Sequence, residues 1–262
     1  AIALLVDRKL MIDKLAFGEY DPTNSYYPDF YLGSIKNPNP PVEFNIKKAR
    51  ALLAEAGWKP NQKGILEKNG KPFTFTILDR DKKTEKYFTV FLEKAKEVGI
   101  SANIDTLDLA AWSAKVDKYD FDMTWAAWGS GVFKDPESQW HSKYAEEEGQ
   151  PNLPGFKSLL VDKLIEKQKT EFNLDVRNSI IKEIDKLVYK EYPYVLLWHL
   201  PSVRLLYWRK FGQPKLPLGV YGDESFTTDF WWYDEDKDLK LKSAVDKKTS
   251  LDPYQAVIKW EK

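Results

Sequence analysis

The residues best suited to chemistry crowd into one stretch, WAAWGSGVFKDPESQW, from Trp125 to Trp140. Flat indoles beside glycines suit recognition better than bond-making. Trp128 offers an apolar face, and Gly129, Ser130 and Gly131 turn the chain with little bulk, leaving backbone N–H and C=O groups open to a ligand. Trp125 and Trp128 are three apart on an expected strand, so they face opposite sides, one toward a core and one toward the strand's carboxyl end. Open α/β sheets place their ligand crevices at that end. The residues alone leave two readings open, a ligand wall and a packed aromatic corner. Asp135 precedes Pro136 and is read as holding the 136–141 segment in shape, with ligand contact as the alternative.

Other chemistries find less material. Asp120 and Asp122 share a face at a strand entry and could form a glycosidase pair, although solvated strand-entry acids account for them more simply. The two histidines, His141 and His199, are far apart in sequence and too few for a histidine metal site. Cysteine is absent, which removes disulfides, thiol nucleophiles and Cys-ligated zinc. No G-x-S-x-G, P-loop or G-x-G-x-x-G occurs, and GSG at 129–131 is not continued by the rest of any phosphate motif. No cofactor is called for. The 40 basic and 40 acidic residues balance, which argues against a nucleic-acid partner. No run of apolar residues is long enough to span a membrane. Aromatic residues are 15% of the 262-residue chain, ten of them Trp, so a large aromatic core or a recognition surface is expected.

The elements that must position this stretch are an α/β set. Spacing predicts an amphipathic helix over residues 1–16, a long loop over 19–43, and a helix capped by Asn45, with Ala49, Leu52, Leu53 and Ala56 on one face and Gly57 as its stop. Asn69-Gly70 predicts a type I′ hairpin whose second strand runs from Phe73 to Leu78. A helix near 84–98, the strand ISANIDTL, a short helix capped by Asp108 and the strand FDMTWAAW follow. This β-β-α-β-α-β order argues for helices packed on a sheet. Two helices come next. One lies near 159–171 with Leu160, Leu164 and Ile165 inward, the other near 175–190 with Asp175 as cap and Ile180, Ile181, Ile184, Leu187 and Val188 inward. YVLLWHL reads as a buried strand, and the last thirty residues as an exposed irregular tail.

Seven segments in order resemble the family 5 solute-binding proteins of ABC importers, the peptide- and nickel-binding group. They are AIALLVDRKLMIDKLAFG, NIKKARALLAEAGW, NGKPFTFTIL, LEKAKEVGISANIDTLDLAAWSAKV, YDFDMTWAAWGSG, LVDKLIEK and RNSIIKEIDKLVYKEYPYVLLWH. DPESQWHSKYA is similar to the subgroup near the oligopeptide and microcin C binding components. The resemblance covers residues 1–205. It implies a type II periplasmic-binding-protein lobe, a mixed sheet flanked by helices, with an irregular C-terminal return segment. On this reading residues 1–205 are the second, ligand-binding lobe and 206–262 return to a first lobe absent from the chain, so the chain is expected to be a C-terminal piece. The resemblance further implies a non-enzymatic, extracytoplasmic protein that delivers a peptide or modified peptide to a membrane permease. An oligosaccharide-binding member of the family and, less favoured, a glycoside hydrolase are the alternatives. In peptide-binding members the Trp at the Trp128 position lines the pocket. An Asp three residues later meets the ligand's α-amine, and here that position is Gly131.

Overall fold

The computed structural model describes residues 1–31, 35–129, 131, 133–219 and 225–251. The chain divides into two compact units, 1–129 with 133–201, and 130–132 with 202–262.

In the first unit the N-terminal segment is not one helix. A 3-10 turn (Ile2–Leu5) ends where Val6 turns extended, a short α turn (Arg8–Leu10) restarts under the Asp7 side chain, and a π turn (Met11–Leu15) follows. Asp7 Oδ1 accepts from the Leu10 amide at 3.0 Å, so the helix is capped afresh after six residues. Residues 19–31 and 35–43 are largely loop, with strand β1 (Asp21–Pro22) and a 3-10 turn (Pro28–Tyr31) inside them. Helix α1 (Ile46–Glu55) is capped by Asn45, whose side chain accepts from the Lys48 amide. It buries Ala49 and Leu53, while Leu52 and Ala56, expected inward, are exposed.

Strands β2 (Lys59–Pro60), β3 (Leu66–Lys68) and β4 (Lys71–Pro72) form an antiparallel sheet. Asn69 and Gly70, both at positive φ, make the turn of its hairpin. The expected single strand through Phe73 is broken at that residue. Pro72 ends the hairpin, and β5 (Thr74–Asp79) leaves for a second sheet. There β5 lies between β6 (Ser101–Thr106) and β7 (Met123–Thr124), all parallel, with Ile77 level with Ile104 and Met123. Helices α2 (Glu85–Glu97) and α3 (Leu109–Asp117) make the crossovers from β5 to β6 and from β6 to β7 that a parallel sheet requires. Asp108 caps α3 through the Ala111 amide at 3.0 Å. One core joins Leu5, Met11, Ala49, Leu53, Leu66, Ile77, Phe88, Phe91 and Ala95. The architecture is mixed α/β with sheets flanked by helices, as expected.

Gly99 shows how tightly α2 returns to the sheet. It has φ +91°, and a Cβ there would sit 2.6 Å from the Gly64 carbonyl oxygen. Gly99→Ala is expected to cost about 2–3 kcal/mol, from strain and clash together. Urea unfolding of the variant measures this.

Helices α4 (Leu159–Thr170) and α5 (Leu174–Glu191) pack as a pair over a second core of Trp140, Phe156, Val161, Ile165, Ile180, Ile184 and Val188. Two details correct the sequence expectation. Leu160 is exposed and Val161 takes the inward place, and α5 is capped by Asn173, which accepts from the Asp175 and Val176 amides, instead of by Asp175. The two expected strands around the site are also shorter. Only Met123–Thr124 of FDMTWAAW pairs, and only Trp198–His199 of YVLLWHL, as β8 against β1. Residues 194–199 are half-buried.

In the second unit, β9 (Phe211–Gly212) pairs antiparallel with β10 (Trp232–Tyr233), and the Trp232 indole packs against Gly212, where a Cβ would meet the ring at 2.2 Å. The expected irregular tail contains a helix, α6 (Glu235–Asp246), capped by Asp234 with acids in its first turn. No helix among the described residues is long and apolar enough to cross a membrane.

Candidate functional site

The Trp-rich stretch leaves β7 at the carboxyl end of the parallel sheet. Its anchor is Thr124, whose hydroxyl donates to the Leu78 carbonyl at 2.9 Å and accepts from the Trp112 indole N–H at 3.0 Å. Trp125 and Trp128 go opposite ways although only 123–124 pair as strand. Trp125 is half-buried in the first core, with ring centroids of Tyr87, Phe88 and Trp198 at 5.9, 5.7 and 5.9 Å. Trp128 is 45% exposed. Its ring meets Tyr194 edge-on at 6.3 Å and 83°. Gly129 has open space where a side chain would be. Ser130 lies outside the described residues, and Gly131 groups with the second unit.

Trp128 therefore stands on a buried aromatic base. Tyr194 touches Trp140 at 5.9 Å and Tyr26 at 6.1 Å, and Trp140 touches Tyr26 at 4.7 Å and Phe156 at 5.7 Å, all edge-on. Edge-to-face contacts match the positive ring edge to the negative face, and each adds to area burial. Burial raises the Tyr26 and Tyr194 phenols well above their ordinary range, so both stay neutral. Segment 194–198 carries both Tyr194 and Trp198 and so joins the two aromatic groups. Arg8 holds this segment by donating to the Leu196 carbonyl at 3.1 Å, while it also donates to Thr23 O at 2.7 Å and to Val42 O. One guanidinium thus ties three loops with its fixed fork of donors.

Two buried charges, both missed by sequence reading, brace the loops beside Trp128. Lys134 is 5% exposed and pairs with Asp29 at 2.5 Å, which fixes the 28–31 turn against the end of the Trp-rich stretch. Its carbonyl accepts from Gln168 Nε2 at 3.3 Å. Asp185 on α5 is fully buried and accepts from Ser25 Oγ at 2.8 Å, the Tyr26 amide at 2.8 Å and Asn39 Nδ2 at 3.1 Å. Burial raises its carboxyl above the ordinary value, and these donors pull the other way. Asn24, Asn37 and Asn39 bond one another around it. A lysine or aspartate in a helix or loop carries no local mark of burial. The partners here are remote in sequence, so no periodicity could have found them.

The remaining candidates take structural places. Asp135 is exposed, and its Oδ1 accepts from the Glu137 amide at 3.0 Å, starting the turn Glu137–Trp140. Asp122 Oδ2 accepts from the Thr76 amide of β5 at 2.9 Å, and Asp120 pairs with Lys115 at 3.6 Å, so both acids have assignments in the scaffold. His141 Nδ1 accepts from the Lys143 amide at 3.2 Å, and His199 is half-buried, its basicity lowered by burial. No group of three or more His, Asp or Glu side chains among the described residues is arranged to hold a metal ion. Sequence reading also missed Arg80, just past β5. Its guanidinium lies 4.5 Å from the centroid of Trp112, which Thr124 fixes in turn.

Comparison with known proteins gives concordant findings. A family model for bacterial extracellular solute-binding proteins, family 5, matches residues 1–150. Among curated proteins, the chain is 26% identical over 279 residues to an uncharacterized protein, YejA, of Escherichia coli, covering 93% of this chain and 45% of that one. It is 29% identical to the oligopeptide-binding protein AppA of Bacillus subtilis, covering 76% of this chain and 37% of that one. Among solved structures, AppA in complex with a nonapeptide superposes with a TM-score of 0.71 at 25% identity, over 88% of this chain and 46% of that one. NikZ from Campylobacter jejuni in complex with Ni(L-His) superposes with a TM-score of 0.72 at 20% identity, over 88% and 47%. The chain spans less than half the length of the curated relatives it matches.

Proposed function

The chain belongs to the bacterial extracellular solute-binding proteins, family 5, and on that footing we propose that it is a ligand-binding lobe of the substrate-binding component of an ABC importer. The family is one of binding proteins, found in the periplasm or outside the cell. The further reading is that this protein captures a peptide or modified peptide, performs no turnover, and hands its ligand to a membrane permease. Residues 1–205 act as the lobe and residues 206–262 as the return toward an opposing lobe. Trp128 and Gly129 supply the wall, Trp125 backs it from the core, and Asp135 shapes its exit.

One observation carries this: a half-exposed Trp128 mounted on buried edge-packed rings, at the carboxyl end of a parallel sheet. An aromatic face held rigidly loses little entropy on binding, which is what a hot spot needs. AppA, whose solved structure holds a nonapeptide, supports a peptide as the ligand class. An oligosaccharide is the second reading, favoured by the flat uncharged indole face.

Calorimetry with peptide pools tests the proposal. Trp128→Ala should weaken peptide binding by at least about 2 kcal/mol, roughly thirtyfold. Because the ring is half exposed, stability should change by less than about 1 kcal/mol. Trp emission that responds to oligosaccharides and not to peptides moves the assignment to the second reading. Glycan turnover that is lost in Asp122→Asn overturns both.

A further inference from the structure

Asn69-Gly70 is the one Asn-Gly pair in the sequence, and it forms the exposed two-residue turn between β3 and β4. Both residues are at positive φ, 55° and 74°. An asparagine loses its amide when the backbone nitrogen of the next residue attacks the side-chain carbon. That attack needs room at the next residue, an uncommitted backbone N–H there, and a side-chain amide that no partner holds. Gly70 supplies the room, since a Cβ added there would meet nothing within 4 Å. Among the described residues, neither the Gly70 N–H nor the Asn69 side chain has a hydrogen bond.

The structure sets this pair apart from the two Asn-Ser pairs, where the following residue is also small. Asn24 Nδ2 donates to the Asn39 carbonyl, and Asn24 Oδ1 accepts from Asn37 Nδ2 at 2.7 Å. Asn178 lies inside α5, where backbone amides are bonded along the helix. The charges beside the Asn69-Gly70 turn act in the direction of reaction. Lys68 and Lys71 stand opposite each other at its base, exposed and without an ion pair among the described residues. Two ammonium groups favour the negative charge that develops on the attacked amide. Like charges in register also repel until a carboxylate appears between them.

We propose that Asn69 is a self-modification site, converted in the folded protein through a succinimide into aspartate and isoaspartate, with water as the co-reactant. The Gly70 nitrogen gives its proton to solvent and bonds to Asn69 Cγ. The Cγ–Nδ2 bond then breaks, and Nδ2 takes a proton from solvent and leaves as ammonia. Water opens the ring on either side, its hydroxyl going to the carbonyl carbon and its proton to the Gly70 nitrogen. Opening at Cγ restores the ordinary chain with aspartate at position 69. Opening at the main-chain carbonyl leaves the chain running through Cβ and Cγ, longer by a carbon atom, with the α-carboxylate as side group. The aspartate form keeps the turn and gains an attraction to Lys68 and Lys71. The isoaspartate form loses the turn, since a two-residue type I′ loop has no place for an added backbone atom. The core feels that loss through β3, where Leu66 is buried and its amide donates to the Gly99 carbonyl at 2.7 Å.

The test holds the wild-type chain and Asn69→Gln at mildly alkaline pH, both folded and in urea. Mass and chromatography then follow the tryptic peptide from Asn69 to Arg80. In the folded wild type this peptide should split into two acidic forms. It should do so at least about tenfold faster than Asn24 or Asn178 changes, a barrier difference of about 1.4 kcal/mol. The rate should rise with pH, because the Gly70 nitrogen must first lose its proton. Aged wild type should lose stability to urea, while aged Asn69→Gln matches its own fresh sample. If Asn69 keeps its amide in the fold over the time in which the urea-unfolded chain loses it, the turn protects the pair and the proposal is overturned. Loss at Asn24 or Asn178 as fast as at Asn69 overturns it too. A stability loss that aged Asn69→Gln shares overturns the effect assigned to isoaspartate in the hairpin.

Discussion

Replacing Lys134 by alanine is expected to cost about 3–5 kcal/mol of folding stability, because it leaves the Asp29 carboxylate without its buried cation. The Lys134 side chain is 3% exposed and that of Asp29 is 12% exposed, so water cannot make good the loss. The ammonium also lies 5.5 Å from the Phe30 ring centroid, which adds an attraction that alanine cannot keep. Replacing both partners by apolar residues, Lys134→Met with Asp29→Leu, should recover most of the stability, since no unpaired charge then remains. Urea unfolding of the two single variants and the double variant gives the coupling directly. A single-variant loss below about 1 kcal/mol would show that the pair is solvated and that the 28–31 turn is held by something else. Peptide binding should fall as well, because the pair closes the end of the Trp-rich stretch.

Trp140→Ala should be as damaging, at about 3–5 kcal/mol, the usual cost of removing a large ring from a core. The ring is 1% exposed and has Tyr26, Phe156 and Tyr194 edge-on around it. Trp140→Phe keeps part of the volume and should cost about half as much. The functional signature is the contrast with Trp128→Ala, which is expected to weaken binding and spare folding. Trp140→Ala reverses that order: thermal unfolding falls first, and binding weakens because Tyr194 loses its backing. If Trp140→Ala melts like wild type, the aromatic base does not carry Trp128.

What the sequence makes legible here is local. The caps at Asn45 and Asp108, the Asn69-Gly70 turn and the stop after α1 at Gly57 each depend on residues within four positions, and each is found as expected. The face of α5 is also legible, because 3.6-residue spacing is a property of the helix itself. What fails is what depends on distant partners. FDMTWAAW has strand composition, yet a ladder needs a neighbour, and β5 offers register only to Met123 and Thr124. The first sixteen residues have helical spacing, yet Val6 turns extended and Asp7 caps a new start. The run of charges after Asp234 reads as a tail, although acids in the first turn behind an Asp cap are a helix signature. At the site, Trp125 and Trp128 are visible in the sequence, and their opposite fates follow from a reading of alternation that the short strand does not itself justify. Lys134, Asp185 and Arg8 are invisible there, since each gains its meaning from a polar partner far along the chain.

Tyr194 and Trp198 share one short length of backbone, with Trp128 leaning on the first and Trp125 packed against the second. The molecule thereby carries a built-in optical gauge. On the proposed function, a ligand settling on Trp128 should perturb indoles in both clusters through the same peptide segment, so intrinsic emission is expected to shift as a single transition, with one midpoint, and no attached dye is needed to follow occupancy.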